Sequence, residues 1–398
     1  MTDLDRSVVT GPASALGWLR DALWAPEVEV AFAPGSDGDR VFLARPSPAA
    51  PELLVPIRPA RATATVARRV SDARSLGWRI HAAGLEVVAA TGLMPRLAPE
   101  RLLSLTLGAG ADDPERSLPA FLTSHLGLGE GAYAVTLGGE RYNRKPVLTL
   151  FDDAGRLRAF VKVGVDPLTD RYVTNEAHWL TVASESRDGI EAPSVQWSGR
   201  WRHHAVLVTT PIHPPRLPVR RSIERPPAGL VVAVASVTGP RQETVATSPV
   251  IEDAARVGGD RLLAARRRVL DRHGSIELAV GLWHGDLSPW NLATRRAGPP
   301  LLWDWEAAAD GRPVGADLLH SLVMVSTHLR DERPAAAVER LRPDDLGEHQ
   351  VDHRARSAAL DLYLLDVASR DVEMVADGVD PALLPGIGAA ALDRLVGR

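Results

Sequence analysis

The chain has 398 residues, 45% hydrophobic, 24% charged and 5% aromatic, a balance that excludes disordered, collagenous and coiled-coil classes and suits two or three folded units. A formal charge of −4 argues against nucleic acid or an anionic membrane as the main partner, since both reward a clustered positive field. The absence of cysteine excludes disulfides, thiolate metal sites and cysteine nucleophiles, and it is compatible with a cytoplasmic location, the expectation adopted.

The opening MTDLDRSVVTGPASALGW carries acids and no long apolar core, so no signal peptide is expected. The most apolar stretch, Gly229 to Gly239, falls short of the ~18 residues a membrane helix needs. Residues 1 to about 120 are expected to be an extra α/β region of unknown role. They contain a hairpin-like pattern, Val28 to Ala33 and Val41 to Ala44 around a Gly-Ser-Asp-Gly turn, then a helical stretch from Ala60 to Leu76.

The second region, 121–212, reads as strands. Ala132 to Leu137, Val147 to Phe151 and Leu157 to Val163 form an expected antiparallel meander, linked by a glycine-led loop at 138–146 and a turn at 152–155. Thr169 or Asp170 is the expected cap of a helix through about Ser184, with Val173, Ala177 and Leu180 on one face. Strands are expected again at Val195 to Trp197 and Ala205 to Thr209. Prolines 211, 214, 215 and 218 then mark a connector. The third region, 213–398, is predominantly helical by periodicity, most clearly at Asp260 to Arg272, Asp317 to Leu329 and Ala355 to Val375.

Chemistry concentrates between the first two of those helices. Residues 282–292 read Leu-Trp-His-Gly-Asp-Leu-Ser-Pro-Trp-Asn-Leu, and 301–306 read Leu-Leu-Trp-Asp-Trp-Glu. Asp286 and Asn291 stand five apart, the separation seen in H-R-D-x-x-x-x-N, and Asp304 follows an apolar approach. Phosphoryl transfer needs a carboxylate to receive the acceptor hydroxyl's proton, a role Asp286 fits. It also needs hard oxygen ligands to hold Mg²⁺ against nucleotide phosphates, which Asn291 and Asp304 can supply. Upstream, Lys162 sits in the third strand of the meander and Glu176 on the helix after it, where kinases place their phosphate-contacting Lys and its Glu partner. Tryptophans 283, 290, 303 and 305 are expected in the core around the loop.

His284-Gly285-Asp286, Asn291 and Asp304-Trp305-Glu306 together resemble the signature of the aminoglycoside phosphotransferase and choline kinase-like enzymes, over roughly residues 130 to 325. The resemblance implies an α+β, two-lobed protein-kinase-like fold enclosing MgATP, and γ-phosphoryl transfer to a hydroxyl of a small molecule such as an aminoglycoside, sugar or amino alcohol. It implies Asp286 as catalytic base, Asn291 and Asp304 as magnesium ligands, and His284 as a structural member of the loop. Asp317 looks like the family's aspartate that braces that loop from the next helix. Thr209 to Ile212 stand where an inter-lobe hinge would bind adenine, Thr209 and Ile212 at its ends. Glu306 would assist the metal or pair with an arginine. The loop at 138–146 departs from the pattern by lacking G-x-G-x-x-G. The rival reading is a catalytically inactive kinase-like scaffold that binds a partner.

Of the 46 basic residues 44 are Arg, and only Lys145 and Lys162 are Lys. In such a background a retained Lys at 162 points to a need for shape as well as charge, because a compact ammonium meets phosphate oxygens that a planar fork approaches differently. Lys162→Arg should therefore lose most phosphoryl transfer with the fold intact, and Lys145→Arg should be much milder, as read by kcat/KM for ATP and by circular dichroism.

Overall fold

The computed structural model describes residues 15–72, 91–92, 94–185, 189–212, 225–294 and 298–397. Part of the expected helix after Asp72, and most of the proline connector, lie outside the described residues. The chain divides into Met1–Thr174 with Val195–Pro211, and Asn175–Ser194 with Ile212–Arg398. The first unit is strand-rich and the second helical, which is the α+β composition expected from the sequence.

The first unit is built on nine strands: β1 (Val30–Pro34), β2 (Arg40–Pro46), β3 (Pro51–Pro56), β4 (Leu102–Leu107), β5 (Ala132–Thr136), β6 (Val147–Phe151), β7 (Leu157–Val163), β8 (Val195–Trp201) and β9 (His204–Thr209). They form one antiparallel sheet in the order β1-β4-β2-β3-β5-β6-β7-β9-β8. The β5-β6-β7 meander matches the sequence pattern, and β8 and β9 fall on the two expected later strands, with β8 running on to Trp201 and pairing with β9. The expected β1–β2 hairpin does not form, because β4 inserts between the two and pairs with both. Pairing of β3 Leu53 and Leu54 with β5 Thr136 and Val135 joins residues before and after 120 in the same sheet.

Both faces of this sheet are covered. On one, Leu16, Leu19 and Leu23 of the Ala15–Leu23 helix pack with Phe42, Leu54, Leu103, Val135, Leu148 and Val161 in a single core. On the other, Ala62 and Val66 of the Ala60–Asp72 helix, four residues apart and so on one face, pack with Leu43, Val55, Ala134 and Phe151. In β7 the period of two sends Ala159, Val161 and Val163 inward and leaves Phe160 and Lys162 on the opposite face.

The Pro167–Glu185 helix follows β7. Its cap is Asp166, not Thr169 or Asp170: Asp166 Oδ1 accepts from Thr169 N at 2.8 Å while Thr169 Oγ1 accepts from Asp166 N at 3.1 Å. This reciprocal box, with proline in the first helical position, starts the helix one turn earlier than the pattern suggests. Val173, Ala177 and Leu180 are buried as expected.

The second unit centres on the His353–Ala376 helix, whose Ala358, Leu362, Tyr363 and Leu365 pack with Val269, Leu319 and Val338 of neighbouring helices. Five short strands complete it: β10 (Arg241–Thr244), β11 (Glu277–Trp283), β12 (Leu292–Ala293), β13 (Leu301–Leu302) and β14 (Ala309–Pro313). β11 lies between β10 and β14, and β12 pairs with β13. No helix among the described residues is long and apolar enough to cross a membrane.

Leu54 is wholly buried where β3 meets β5. Leu54→Ala should cost about 3 kcal/mol, and native-state hydrogen exchange should record about a hundredfold loss of protection in β5, β6 and β7 as well as in β2 and β3. Loss confined to residues before 120 would show that the two halves of the sheet open separately.

Candidate active site

β11 delivers the chain into His284-Gly285-Asp286, and a buried carboxylate fixes the backbone of that turn. Asp317, in the first turn of the Ala316–Leu329 helix, is 2% exposed. Its Oδ2 accepts from His284 N at 2.8 Å and its Oδ1 from Gly285 N at 3.1 Å. Gly285 has φ +78°, and a Cβ there would lie 2.2 Å from the Ala307 carbonyl oxygen. Only glycine lets the loop pass so close to that carbonyl. His284 is fully buried. Its Nδ1 accepts from Asp286 N at 3.3 Å, so the ring proton resides on Nε2, which donates to Trp303 O at 3.1 Å.

Asp286 is thereby held with both carboxylate oxygens engaged. Ser288 Oγ donates to Oδ1, and Asn291 Nδ2 donates to Oδ2 at 2.8 Å and to the Asp286 carbonyl at 3.1 Å. Using the amide hydrogens this way leaves Asn291 Oδ1 as an acceptor. Burial pushes the Asp286 carboxyl up to about 7, with the nearby charges of Asp304 and Glu306 adding to the effect and the bonds from Ser288 and Asn291 opposing it.

The β12–β13 pair brings the second motif to the first. Leu292 pairs with Leu302, and Trp303 N donates to Asn291 O at 3.2 Å, so Asn291 and Asp304 flank the same two-stranded ladder. Asp304 takes a left-handed conformation, φ +70° and ψ +56°, which a short polar side chain tolerates. Ligand oxygens of Asp304, Glu306 and Glu176 lie within 4.8 Å of one another. Asn175 secures the Glu176 segment by donating from Nδ2 to the carbonyls of Glu306 and Ala308, both at 2.9 Å. Arg370 Nη2 donates to Ala307 O at 3.1 Å and Arg370 Nε pairs with Asp366 at 2.9 Å, tying the same turn to the His353–Ala376 helix.

The structure thus gathers Asp286, Asn291, Asp304, Glu306, Glu176, His284 and Asp317 in the second unit. In the first, Lys162 is half-buried on β7 opposite Val147 and Leu207. Thr209 is buried at the end of β9, opposite Phe160, and half-buried Ile212, three residues later, is already in the second unit. Two of the four tryptophans, Trp283 and Trp305, are core residues. Trp290 is 37% exposed and meets His328 with the rings tilted at 56° and their centres 5.3 Å apart, contrary to expectation: it lies in the loop between Asp286 and Asn291. Sequence reasoning missed Asn175, Ser288 and the ring pair Tyr363–His320. His320 Nδ1 lies 3.3 Å from the Tyr363 hydroxyl and its Nε2 lies 3.9 Å from Asp286 Oδ1. Burial, with the Arg370 charge adding to it, pushes His320 down to about 3, so the ring is neutral. Of these, only Ser288, two residues after Asp286 and before a proline, carried a local signal.

No family model and no curated protein matches the chain. Among solved structures it is similar to a Haemophilus somnus protein described as a fructosamine-3-kinase, at 12% identity over 70% of this chain and 96% of that one, with a TM-score of 0.42. It is similar also to ADP-bound aminoglycoside phosphotransferase APH(2″)-Ib, at 11% identity over 68% and 95%, TM-score 0.39. A third similar structure is APH(2″)-IIa in a ternary complex with streptomycin and ATP, at 11% identity over 71% and 95%, TM-score 0.40.

Asp317→Ala would leave two buried backbone N–H groups without an acceptor and should cost about 2–5 kcal/mol in urea unfolding, with Asp317→Asn milder. Burial holds the Asp317 carboxyl up at about 6, so the folded state binds this proton more readily than the unfolded one. Its contribution to stability is therefore lost as pH rises from about 4 to about 6. The deficit of Asp317→Asn relative to the wild type should accordingly be larger at pH 4.5 than at pH 7.5.

Proposed function

We propose that the chain is an ATP-dependent phosphotransferase that moves the γ-phosphoryl group to a hydroxyl of a small molecule, an aminoglycoside, sugar or amino alcohol. The single observation that carries this reading is the oriented Asp286 carboxylate beside the oxygen donors of Asn291, Asp304 and Glu306. In this reading an acceptor hydroxyl donates its hydrogen to Asp286. The acceptor oxygen then forms its bond to the γ-phosphorus as the bond to the β–γ bridging oxygen breaks, and ADP departs. A carboxyl held near 7 suits a base at neutral pH, and the bonds from Ser288 and Asn291 hold it in one orientation.

The donor set is all hard oxygen, which fits magnesium. Asn291 Oδ1 and Asp304 would hold it, with Glu306 alongside. When bound there, the ion neutralises phosphate charge. Lys162 would meet the nucleotide phosphates, Glu176 would complete the acidic end of that contact, and the Thr209–Ile212 backbone would bind adenine. Residues 121–212 would then serve the nucleotide and residues 213–398 the acceptor. The last 68 residues carry 14 acids and eight arginines, a balance that favours an amine-bearing acceptor.

A screen of hydroxylated metabolites and aminoglycosides for ATP consumption, with mass-spectrometric identification of the phosphorylated product, tests the reading. Asp286→Asn should lower transfer about a thousandfold while calorimetry finds MgATP affinity within about threefold of wild type. Loss of nucleotide affinity together with turnover would contradict the assigned role.

A further inference from the structure

Three residues after Asp317, and so one turn further along the same face of the Ala316–Leu329 helix, His320 turns its imidazole toward Asp286. Its Nε2 lies 3.9 Å from Asp286 Oδ1, too far for a direct hydrogen bond. Among the described residues Nε2 has no hydrogen-bond partner, while Nδ1 faces the Tyr363 hydroxyl at 3.3 Å. Both members of the facing pair stay partly open, His320 with 12% of its side chain exposed and Asp286 with 28%. The Trp283 and Tyr363 rings meet the imidazole edge-on, each with its centre 6.2 Å away, which fixes the plane of the ring.

Tyr363 decides which nitrogen carries the ring proton. The residue is 1% exposed, and burial pushes its phenol well above the ordinary range, so the O–H is intact at neutral pH. His320 Nδ1 is the hydrogen-bond partner of that hydroxyl among the described residues. Were Nδ1 the donor, the phenol hydrogen would be buried without an acceptor, which is costly. The phenol therefore donates to Nδ1, and the ring holds its own hydrogen on Nε2, facing Asp286. Burial and the Arg370 charge keep the ring neutral.

The 3.9 Å between this donor and the carboxylate oxygen is a width that one oxygen atom spans, since an oxygen about 2.8 Å from each would bridge them. A hydroxyl in that place gives its hydrogen to Asp286 Oδ1 and receives the Nε2 hydrogen on a lone pair. We propose that His320 is an acceptor-binding residue that holds the reacting hydroxyl oxygen against Asp286 by donating to it from Nε2, in the tautomer that Tyr363 selects. The assignment rests on the phosphotransferase reading above. In the transfer step the hydroxyl hydrogen passes to Asp286 and the oxygen bonds to the γ-phosphorus. The bond from that phosphorus to the β–γ bridging oxygen breaks, its electron pair leaves with ADP, and His320 neither gains nor loses a proton. The same donor selects the reacting atom. A protonated amine has hydrogens for Asp286 but no lone pair for Nε2–H, so an amine-bearing acceptor is directed to react at oxygen.

MgATP turnover by the full chain, with water alone and with streptomycin, glucose or choline added, tests the role together with nitrogen-15 NMR spectra of the imidazoles. His320→Gln keeps an N–H donor near the Nε2 position, whereas His320→Asn places its amide nearer Nδ1. His320→Gln should retain kcat within about threefold of wild type, while His320→Asn and His320→Phe should lose about tenfold or more. KM for MgATP should stay within about twofold in all three. The imidazole resonance missing from His320→Gln should report the Nε2–H tautomer in the wild type, and Tyr363→Phe should mix it with the Nδ1–H form. Equal kcat for the wild type and the Gln and Asn variants, or an Nδ1–H ring in the wild type, overturns the assignment and leaves the phosphotransferase reading standing. A wild type that turns over MgATP with none of these acceptors contradicts that reading, and the assignment falls with it.

Discussion

Carboxylate oxygens of Glu176, Asp304 and Glu306 within 4.8 Å of one another repel by roughly 3 kcal/mol per ionised pair at an effective dielectric near 20. Asp286 feels two of the same charges. Such a grouping persists only if the backbone beneath it is held by contacts worth more than the repulsion. The second unit supplies them from several directions. Asn175 bonds two carbonyls of the Glu306–Ala308 turn, Arg370 bonds a third, Asp317 holds the loop before Asp286, and the β12–β13 ladder sets Asn291 beside Trp303. None of these ties is made by the carboxylates of the cluster.

The ties differ in how visible they are in a sequence. Asp286 and Asn291 share a tight loop, so their five-residue spacing already implies proximity. Asp304 follows a short apolar strand whose partner precedes it by only a few residues. Asn175 bonds carbonyls 131 and 133 residues away, and a carbonyl is the same whatever residue bears it. No pattern of side chains announces such a bond. The Tyr363–His320 contact is hidden for a related reason, since both residues sit on helices whose periodicity marks them as core.

The first unit shows the same division. β5, β6 and β7 are legible because each pairs with its sequence neighbour across a short connection. The nearby run of Val28 to Ala44 looks equally like a hairpin, yet its two strands are separated by β4. Local pattern identifies β1 and β2 as strands but carries no information about which strand lies between them. The start of the Pro167–Glu185 helix is a smaller instance: Asp166 and Thr169 both suit a cap, and only their reciprocal bonds decide which one is outside the helix.

The inserted strand has a consequence for the order in which the chain assembles. As residues leave the ribosome, β1 and β2 are complete roughly fifty-five residues before β4 begins, and a short loop favours their joining at once. That early pairing occupies the edges β4 needs, so it must open again before the sheet can close. β2 and β3 face no such conflict, being neighbours in both sequence and sheet. Assembly of the nine strands is therefore expected to proceed from β2–β3 and from the β5–β7 meander, with β4 entering between β1 and β2 once any early pairing of those two has opened. A nascent chain halted between β3 and β4 would carry exposed strand edges, the surface most prone to pair with another copy.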